Sequence, residues 1–505
     1  MARRNSKRRD ASAFSLPQIP CEQSQNNFTP LEVLNPEQLD KIHNASMRIL
    51  EEIGLEIVNE RSKALMLEHG ATLCPKTGYV LMDRAMVMEK IKTVPSEFTQ
   101  HARNPKYNRK MGTNHINFTP VASAPNSSDL DRGRRMGNYE DFCNFIRLGQ
   151  YFDCMDMFSG YPVEPVDLHA STRHLDAYSA FIKLSEKSWH VYSLGEGRVE
   201  DGIEMIKIAR GIDDAQLKRE PSIMTVVNTN SPLKVDEPML DGLMLLAEYN
   251  QPVIVTPFTL AGAMSPVSLA GALSQQNAEA LGVIAITQMI NPGSPALYGG
   301  FTSNVDMKTG SPAFGTPEYA KAVMAGGQLA RRYNIPYRTS GVNASNAVDA
   351  QATWEAQTSL WSAVMSHGNM IKHSAGWLEG GLCASFEKFI IDIEMIQIML
   401  QTLKGIEVND EELAFEAIQE VGAGGHFFGT DHTFARYETA FHTPFVTDWS
   451  NFETWEENGS ITATQRANKI YKEVLQQYEQ PHLDEAASEE LDAYVERRRK
   501  EYGVS

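Results

Sequence analysis

The sequence predicts an α/β fold: a (β/α)8 TIM barrel with an N-terminal α/β region before it and a C-terminal helical extension after it. Eight short apolar, β-rich runs (115–121, 155–161, 189–195, 223–230, 253–259, 296–302, 337–342 and 370–377) start between about 30 and 43 residues apart. Long helical patterns separate them, and strands alternating with helices make right-handed βαβ units and a parallel sheet. An open doubly wound sheet would carry a glycine-rich phosphate loop after its first strand. Neither G-x-G-x-x-G nor a Walker A motif stands there, so a closed barrel fits better.

Taken in order, residues 1–30 read as a disordered basic tail. The opening MARRNSKRRD holds five positive charges and no periodicity, and order is expected to begin near Leu31. Residues 31–110 form the N-terminal α/β region. Asn35-Pro36 is an N-cap followed by proline at the first helical position. Leu39, Ile42, Ser46, Ile49, Leu50 and Ile53 then follow at helical spacing until Gly54. A second helix (59–69), a hairpin turning at Pro75-Lys-Thr-Gly78 and a third helix (83–93) complete the region. Residues 111–405 are the barrel. Thr316-Pro317 caps one of its helices, another runs over 348–365, and Ser385 caps the last. Residues 406–505 are the extension. Its segment 448–459 predicts a helix with an aromatic face against the body, and 484–503 a solvated terminal helix with acids early and bases late.

Composition excludes several function classes. The 505 residues carry 46 basic and 64 acidic side chains, a net charge of -18, which argues against a protein that coats nucleic acid. The longest apolar run, 280–290, is far shorter than the roughly 20 residues of a bilayer span. No signal-peptide pattern opens the chain, and a cytoplasmic location is expected. The five cysteines (Cys21, Cys74, Cys143, Cys154 and Cys383) are scattered, with no C-x-x-C, so neither a disulfide framework nor a zinc site is expected.

Barrel enzymes work at the carboxyl ends of their strands. Here those ends are rich in rings and small polar groups. Phe118, Tyr161, Tyr192, Asn230, Phe258, Phe301 and Trp377 are the candidate substrate-binding residues, and His373 and Glu379 the candidate catalytic ones. Metal-dependent hydrolysis needs three or more His, Asp or Glu ligands, and glycoside hydrolysis two opposed carboxylates. Only His373 and Glu379 qualify, so no metal is expected. Lys372 should alternate away from His373, toward the outside or the barrel wall. Rings around a neutral pocket suit a quaternary ammonium.

The runs YGGFTSNVDMKTGSPAFGTPEY (298–319), HSAGWLEGG (373–381), GAGGHFFGTDHTFARYETAF (422–441) and ILEEIGLEI (49–57) resemble the trimethylamine methyltransferase family, a likeness reaching from residue 31 to about 475. The resemblance implies a barrel that passes a methyl group from a methylated amine to the cobalt of a separate corrinoid protein. No cofactor would then be held tightly, and corrinoid (cobalamin) would arrive on its partner. The family's trimethylamine enzymes contain pyrrolysine, whereas this chain uses the standard twenty residues. The likeness is therefore to the non-pyrrolysine branch, whose best-known substrate type is glycine betaine. Carnitine, proline betaine, a sulfonium betaine, or a module that binds a quaternary ammonium without catalysis are the alternatives. His373, Asn230 and backbone N–H groups at Gly299-Gly300 and Gly380-Gly381 are candidate donors to a carboxylate. His426, Asp431, His432 and His442 match no zinc spacing and read as structural, and a homo-oligomer is expected.

Overall fold

The computed structural model describes residues 16–504, so the first half of the basic tail lies outside the described residues. Order begins earlier than Leu31: Ser24–Gln25 is a strand running antiparallel to residues 115–116. The N-terminal region follows the pattern of its caps. Helix Pro36–Arg48 opens on a capping box between Asn35 and Gln38. Helix Glu60–Glu68, the hairpin Thr72–Leu73 with Val80–Leu81, and helix Arg84–Ile91 come next.

The central sheet has eight strands, seven of them parallel. We label the parallel strands β1 (His115–Phe118), β2 (Trp189–His190), β3 (Ile223–Val227), β4 (Val253–Val255), β5 (Ala296–Gly299), β6 (Tyr337–Ser340) and β7 (Met370–Lys372). Their order is β1-β7-β6-β5-β4-β3-β2, with Ser24–Gln25 beside β1. The sheet curls, but no ladder closes it. The second expected strand, 155–161, is not one. It bridges the gap through single bonds: Asp156 N–H donates to the Phe118 carbonyl at 2.9 Å, and Phe158 N–H to the Ser188 carbonyl at 2.9 Å. The reason is local. The buried Asp156 carboxylate accepts the Phe118 N–H at 2.8 Å and pairs with Arg109 at 2.6 Å, so a side chain occupies a ladder position.

Alternation along the strands sorts the side chains into two layers. Met157, Met224, Ile254, Leu297 and Met370 turn inward and meet Met111 from the hairpin Glu97–Gln100/Arg109–Gly112, forming a separate apolar cluster inside the sheet. The opposite set joins the main core with the helices. Helix Leu269–Ile290, which contains the longest apolar run, is buried almost throughout because the N-terminal helices pack over it. Over the carboxyl ends of the strands lie two small sheets. One joins Leu260–Ala261, Ser303–Val305 and Pro312–Ala313; the other joins Trp377–Leu378, Cys383–Ser385, Asn126–Asp129 and Gly133–Met136.

Two expectations for the extension change. The terminal helix Glu485–Glu501 is docked: Leu491 and Val495 are buried, and the Asp201 carboxylate accepts from Arg498 Nε at 2.6 Å and Tyr494 Oη at 2.7 Å. Helix Phe452–Glu457, by contrast, leaves Phe452 and the preceding Trp449 exposed, with no aromatic face against the body. Among the described residues no helix is long and apolar enough to cross a membrane.

Candidate functional site

The site is built where β4 to β7 end. Phe258 and Phe301 follow β4 and β5, with ring centroids 5.1 Å apart. Phe301 stacks on Phe314 at 5.4 Å and meets Trp377 edge to face at 6.4 Å. His373 lies 6.0 Å from Phe301 and 4.2 Å from Trp377. Tyr319 completes this wall, 6.3 Å from Phe301. The polar tips are satisfied within the fold: Trp377 Nε1–H donates to the Asn343 carbonyl at 3.1 Å, and Tyr319 Oη–H to the Ser340 carbonyl at 2.8 Å.

His373 has a backbone φ of +58°, in the left-handed region that side chains other than glycine seldom occupy. That twist breaks the alternation after β7. His373 turns onto Ser340, its Nδ1 3.1 Å from the hydroxyl, while Lys372 keeps the inward direction set by Met370 two residues earlier. The expectation that Lys372 faces outward is thereby corrected. Arg338 pairs with Met370 in register and so also points inward. Its guanidinium carbon sits 5.3 Å over the Phe301 ring.

Arg338 and Lys372 are 2% and 5% exposed, and no carboxylate forms an ion pair with either among the described residues. Arg338 Nε and Nη1 are buried without a hydrogen-bond partner. Burial pushes the Arg338 guanidinium down to about 10. Burial and then repulsion from Arg338 hold the Lys372 ammonium well below its ordinary range. The imidazole of His373 is held well down by burial, then by Lys372 and Arg338, so it is neutral near pH 7. On the far side His190, inward on β2, accepts the Val226 N–H at Nε2 (3.0 Å); its proton therefore sits on Nδ1, which has no partner. Burial and Lys372 also lower its pKa well. Tyr192 packs on His190 at 4.7 Å and on Tyr161 at 4.5 Å.

The structure thus brings Phe258, Phe301, His373 and Trp377 together, with Tyr192 and Tyr161 as a second pair. It does not bring in the other three candidates. Phe118 pairs in register with Ile371 and faces the helices. Asn230 is exposed, and its amide serves a local turn with Asp236. Glu379 accepts Arg134 Nε on both carboxylate oxygens at 3.0 Å, tying hairpin strand Gly133–Met136 to the rim. Sequence reasoning passed over Arg338, His190, Phe314 and Tyr319. The available signal was a basic residue inside the buried run Tyr337-Arg-Thr-Ser340, since arginine is almost never buried unless paired.

Two buried cations without a counter-ion are costly, and an anion reaching them would relieve that cost. Ring faces beside them offer cation–π attraction of about 0.5–2 kcal/mol each. The arrangement suits a small molecule with an anionic end and an onium end. Within the described residues no cluster of three or more His, Cys, Asp or Glu could hold a metal ion.

A family model described as trimethylamine methyltransferase (MTTB) matches residues 1–503. A glycine betaine methyltransferase of Desulfitobacterium hafniense (strain Y51) is 38% identical over 472 residues, covering 93% of this chain and 98% of that one. The trimethylamine methyltransferase MttB of Desulfitobacterium hafniense (strain DSM 10664 / DCB-2) is 30% identical over 473 residues, covering 93% and 94%. In three dimensions the chain is similar in fold to the Methanosarcina barkeri monomethylamine methyltransferase, with a TM-score of 0.51 at 10% identity and 90% of each chain covered.

Proposed function

The chain belongs to the trimethylamine methyltransferase family, and is thus a methyltransferase; from that footing we propose that it moves a methyl group from glycine betaine to the Co(I) of a corrinoid carried by a separate protein. The observation that carries the choice of substrate is the pair Arg338 and Lys372, buried with no carboxylate paired to either among the described residues. Trimethylamine has nothing to offer two cations. A betaine carboxylate would take charge-assisted hydrogen bonds from both, each contributing about 1.5–3 kcal/mol. Trp377, Phe301 and Phe258 would then hold the trimethylammonium by their faces, and the neutral His373 would add no repulsion.

The reaction needs no acid, base or side-chain nucleophile. A reduced corrinoid brought by the partner would supply the electron pair that takes one methyl group, while the C–N bonding pair would stay on nitrogen. Dimethylglycine would be left on this chain, with no proton to place. The protein's part is to aim one methyl outward and exclude water. Glu379, neutralised by Arg134, acts as a tether of the rim rather than as a proton carrier.

We read the curled sheet as a (β/α)8 barrel whose second stave is 155–161, spanning 111–405 between the N-terminal region 31–110 and the extension from 406. Incubation with cob(I)alamin and either glycine betaine or trimethylamine tests the reading. Methylcobalamin should form with glycine betaine and not with trimethylamine; the reverse pattern refutes it.

A further inference from the structure

Phe301 is carried on a stretch of chain with little of its own to hold it. Gly299-Gly300 precedes the ring, and glycine has more backbone freedom than any other residue. The β5 ladder ends at Gly299. The backbone bonds flanking Phe301 are long: Gly300 N–H to the Arg338 carbonyl and Ser303 N–H to the Thr259 carbonyl are both 3.3 Å. Support comes from behind the sheet. Helix Leu269–Ile290 presents Gln276, which is buried, and its amide lies against the Gly300 backbone. A β-carbon on Gly300 would stand 2.9 Å from Gln276 Nε2.

Counting protons fixes the direction of each bond around this amide. Thr302 Oγ1–H donates to Gln276 Oε1 at 2.6 Å, so the Thr302 oxygen must accept from the Thr259 hydroxyl beside it. Gln276 Nε2–H donates to Tyr298 Oη at 3.4 Å, and Tyr298 Oη–H donates to Asn277 Oδ1 at 2.9 Å. Asn277 Nδ2 gives its protons to Ser46 Oγ at 2.9 Å and Tyr333 Oη at 3.0 Å. Thr259, Thr302, Gln276, Tyr298 and Asn277 are all buried, so water is no ready substitute for any of these bonds. Thr259 follows Phe258 and Thr302 follows Phe301, so the hydroxyl pair ties together the residues next to the two rings. Gln276 anchors that pair to the helix. Its link to Tyr298 is long for N–H···O, which leaves Thr302 as its firm contact.

On the footing that these rings hold the onium group, as proposed above, we infer that Gln276 is a positioning residue for methyl transfer. Acting through Thr302 and Thr259, it fixes the 5.1 Å separation of Phe301 and Phe258, and with it the aim of the substrate methyl. Aim and grip then separate. The interior cations and the ring faces remain when Gln276 is lost, so the ligand still binds. What goes is the outward alignment of one methyl, and a misplacement of about 1 Å can lower the rate about 100-fold. Asn277 is the comparison the helix itself provides. It is the next residue, equally buried and fully bonded, but its partners Ser46, Tyr298 and Tyr333 lie on the helix side of the sheet, away from the rings.

The test compares Gln276→Met with Asn277→Leu in the full chain. Gln276→Met should lower kcat for methyl transfer from glycine betaine to cob(I)alamin by roughly 30- to 100-fold, while the calorimetric Kd stays within about threefold. Asn277→Leu should lower the unfolding midpoint by a similar amount yet keep kcat within about threefold, because it strands buried polar groups without touching Thr302. An unchanged kcat in Gln276→Met, or an equal loss in Asn277→Leu, overturns the inference. Should Gln276→Met not fold, Thr302→Val removes the same bond from its other end and should give the same split between kcat and Kd. A second readout needs no catalysis. With 4-fluorophenylalanine at position 301, the fluorine resonance should move or broaden in Gln276→Met and hold its place in Asn277→Leu. If the unsubstituted chain passes no methyl from glycine betaine to cobalt, the substrate reading fails and this resonance alone decides the role of Gln276: an unmoved line overturns it.

Discussion

Among the described residues Arg338 and Lys372 sit buried inside the sheet with no carboxylate paired to them, whereas most rings of residues 404–444 stand largely exposed. Each region departs from ordinary burial, in opposite directions. Charge inside without a partner and apolar surface outside without a cover both cost stability in the isolated chain. In the first region the missing group has the size of a carboxylate and must come and go. In the second the exposed rings amount to the area of a protein surface. The contrast teaches that an energetic deficit identifies its missing partner by area and by charge.

The largest effect should come from removing one interior cation. Arg338→Met or Lys372→Met should weaken glycine betaine binding by about 2–5 kcal/mol, roughly 30-fold to several thousand-fold, because the carboxylate would be buried half-satisfied. Arg338→Met should also stabilise the ligand-free protein by about 1–3 kcal/mol in reversible unfolding, since a buried unpaired charge is gone. A loss of both affinity and stability would make these residues structural and break the comparison.

Smaller effects belong to the rings. Trp377→Ala and Phe301→Ala should each weaken binding by about 0.5–2 kcal/mol, a few-fold to roughly 30-fold in calorimetry. Unchanged affinity in both would remove them from the site. At the rim, Glu379→Gln loses only a half-exposed ion pair, worth at most about 1 kcal/mol, and methyl transfer should stay within a few-fold of the unsubstituted rate. A thousand-fold loss would instead give Glu379 a chemical role.

Protonation sharpens the same contrast. The empty site holds the Lys372 pKa well below its ordinary value, and a bound carboxylate raises it. Between those two pKa values, binding must draw a proton onto Lys372, so affinity falls as pH rises through the window. Titration calorimetry in buffers of different ionisation enthalpy should register proton uptake there. The ligand-free protein has the opposite trend: the unfolded chain binds more protons than the folded one in this range, so stability rises with pH.

Much of this was legible in the sequence. Capping residues such as Asn35 and Thr316 located helices, and the β-rich runs located seven parallel strands. The ring wall of Phe258, Phe301, His373 and Trp377 followed from reading strand ends. What escaped depended on single backbone and side-chain events. The positive φ of His373 reversed the facing expected of Lys372, and the Asp156 side chain replaced a ladder bond in the second run. Arg338 escaped because a basic residue in a strand ordinarily marks a solvated face. The exposed rings of residues 404–444 escaped because their aromatic-rich pattern reads like that of any packed helix.

The central claim is that the interior cations await a carboxylate, and calorimetry with glycine betaine against choline tests it most directly. Both ligands carry the same trimethylammonium group, and only one carries the anion. Glycine betaine should bind at least 100-fold more tightly, with the preference lost in Arg338→Met. Equal affinity for the two ligands would contradict the account.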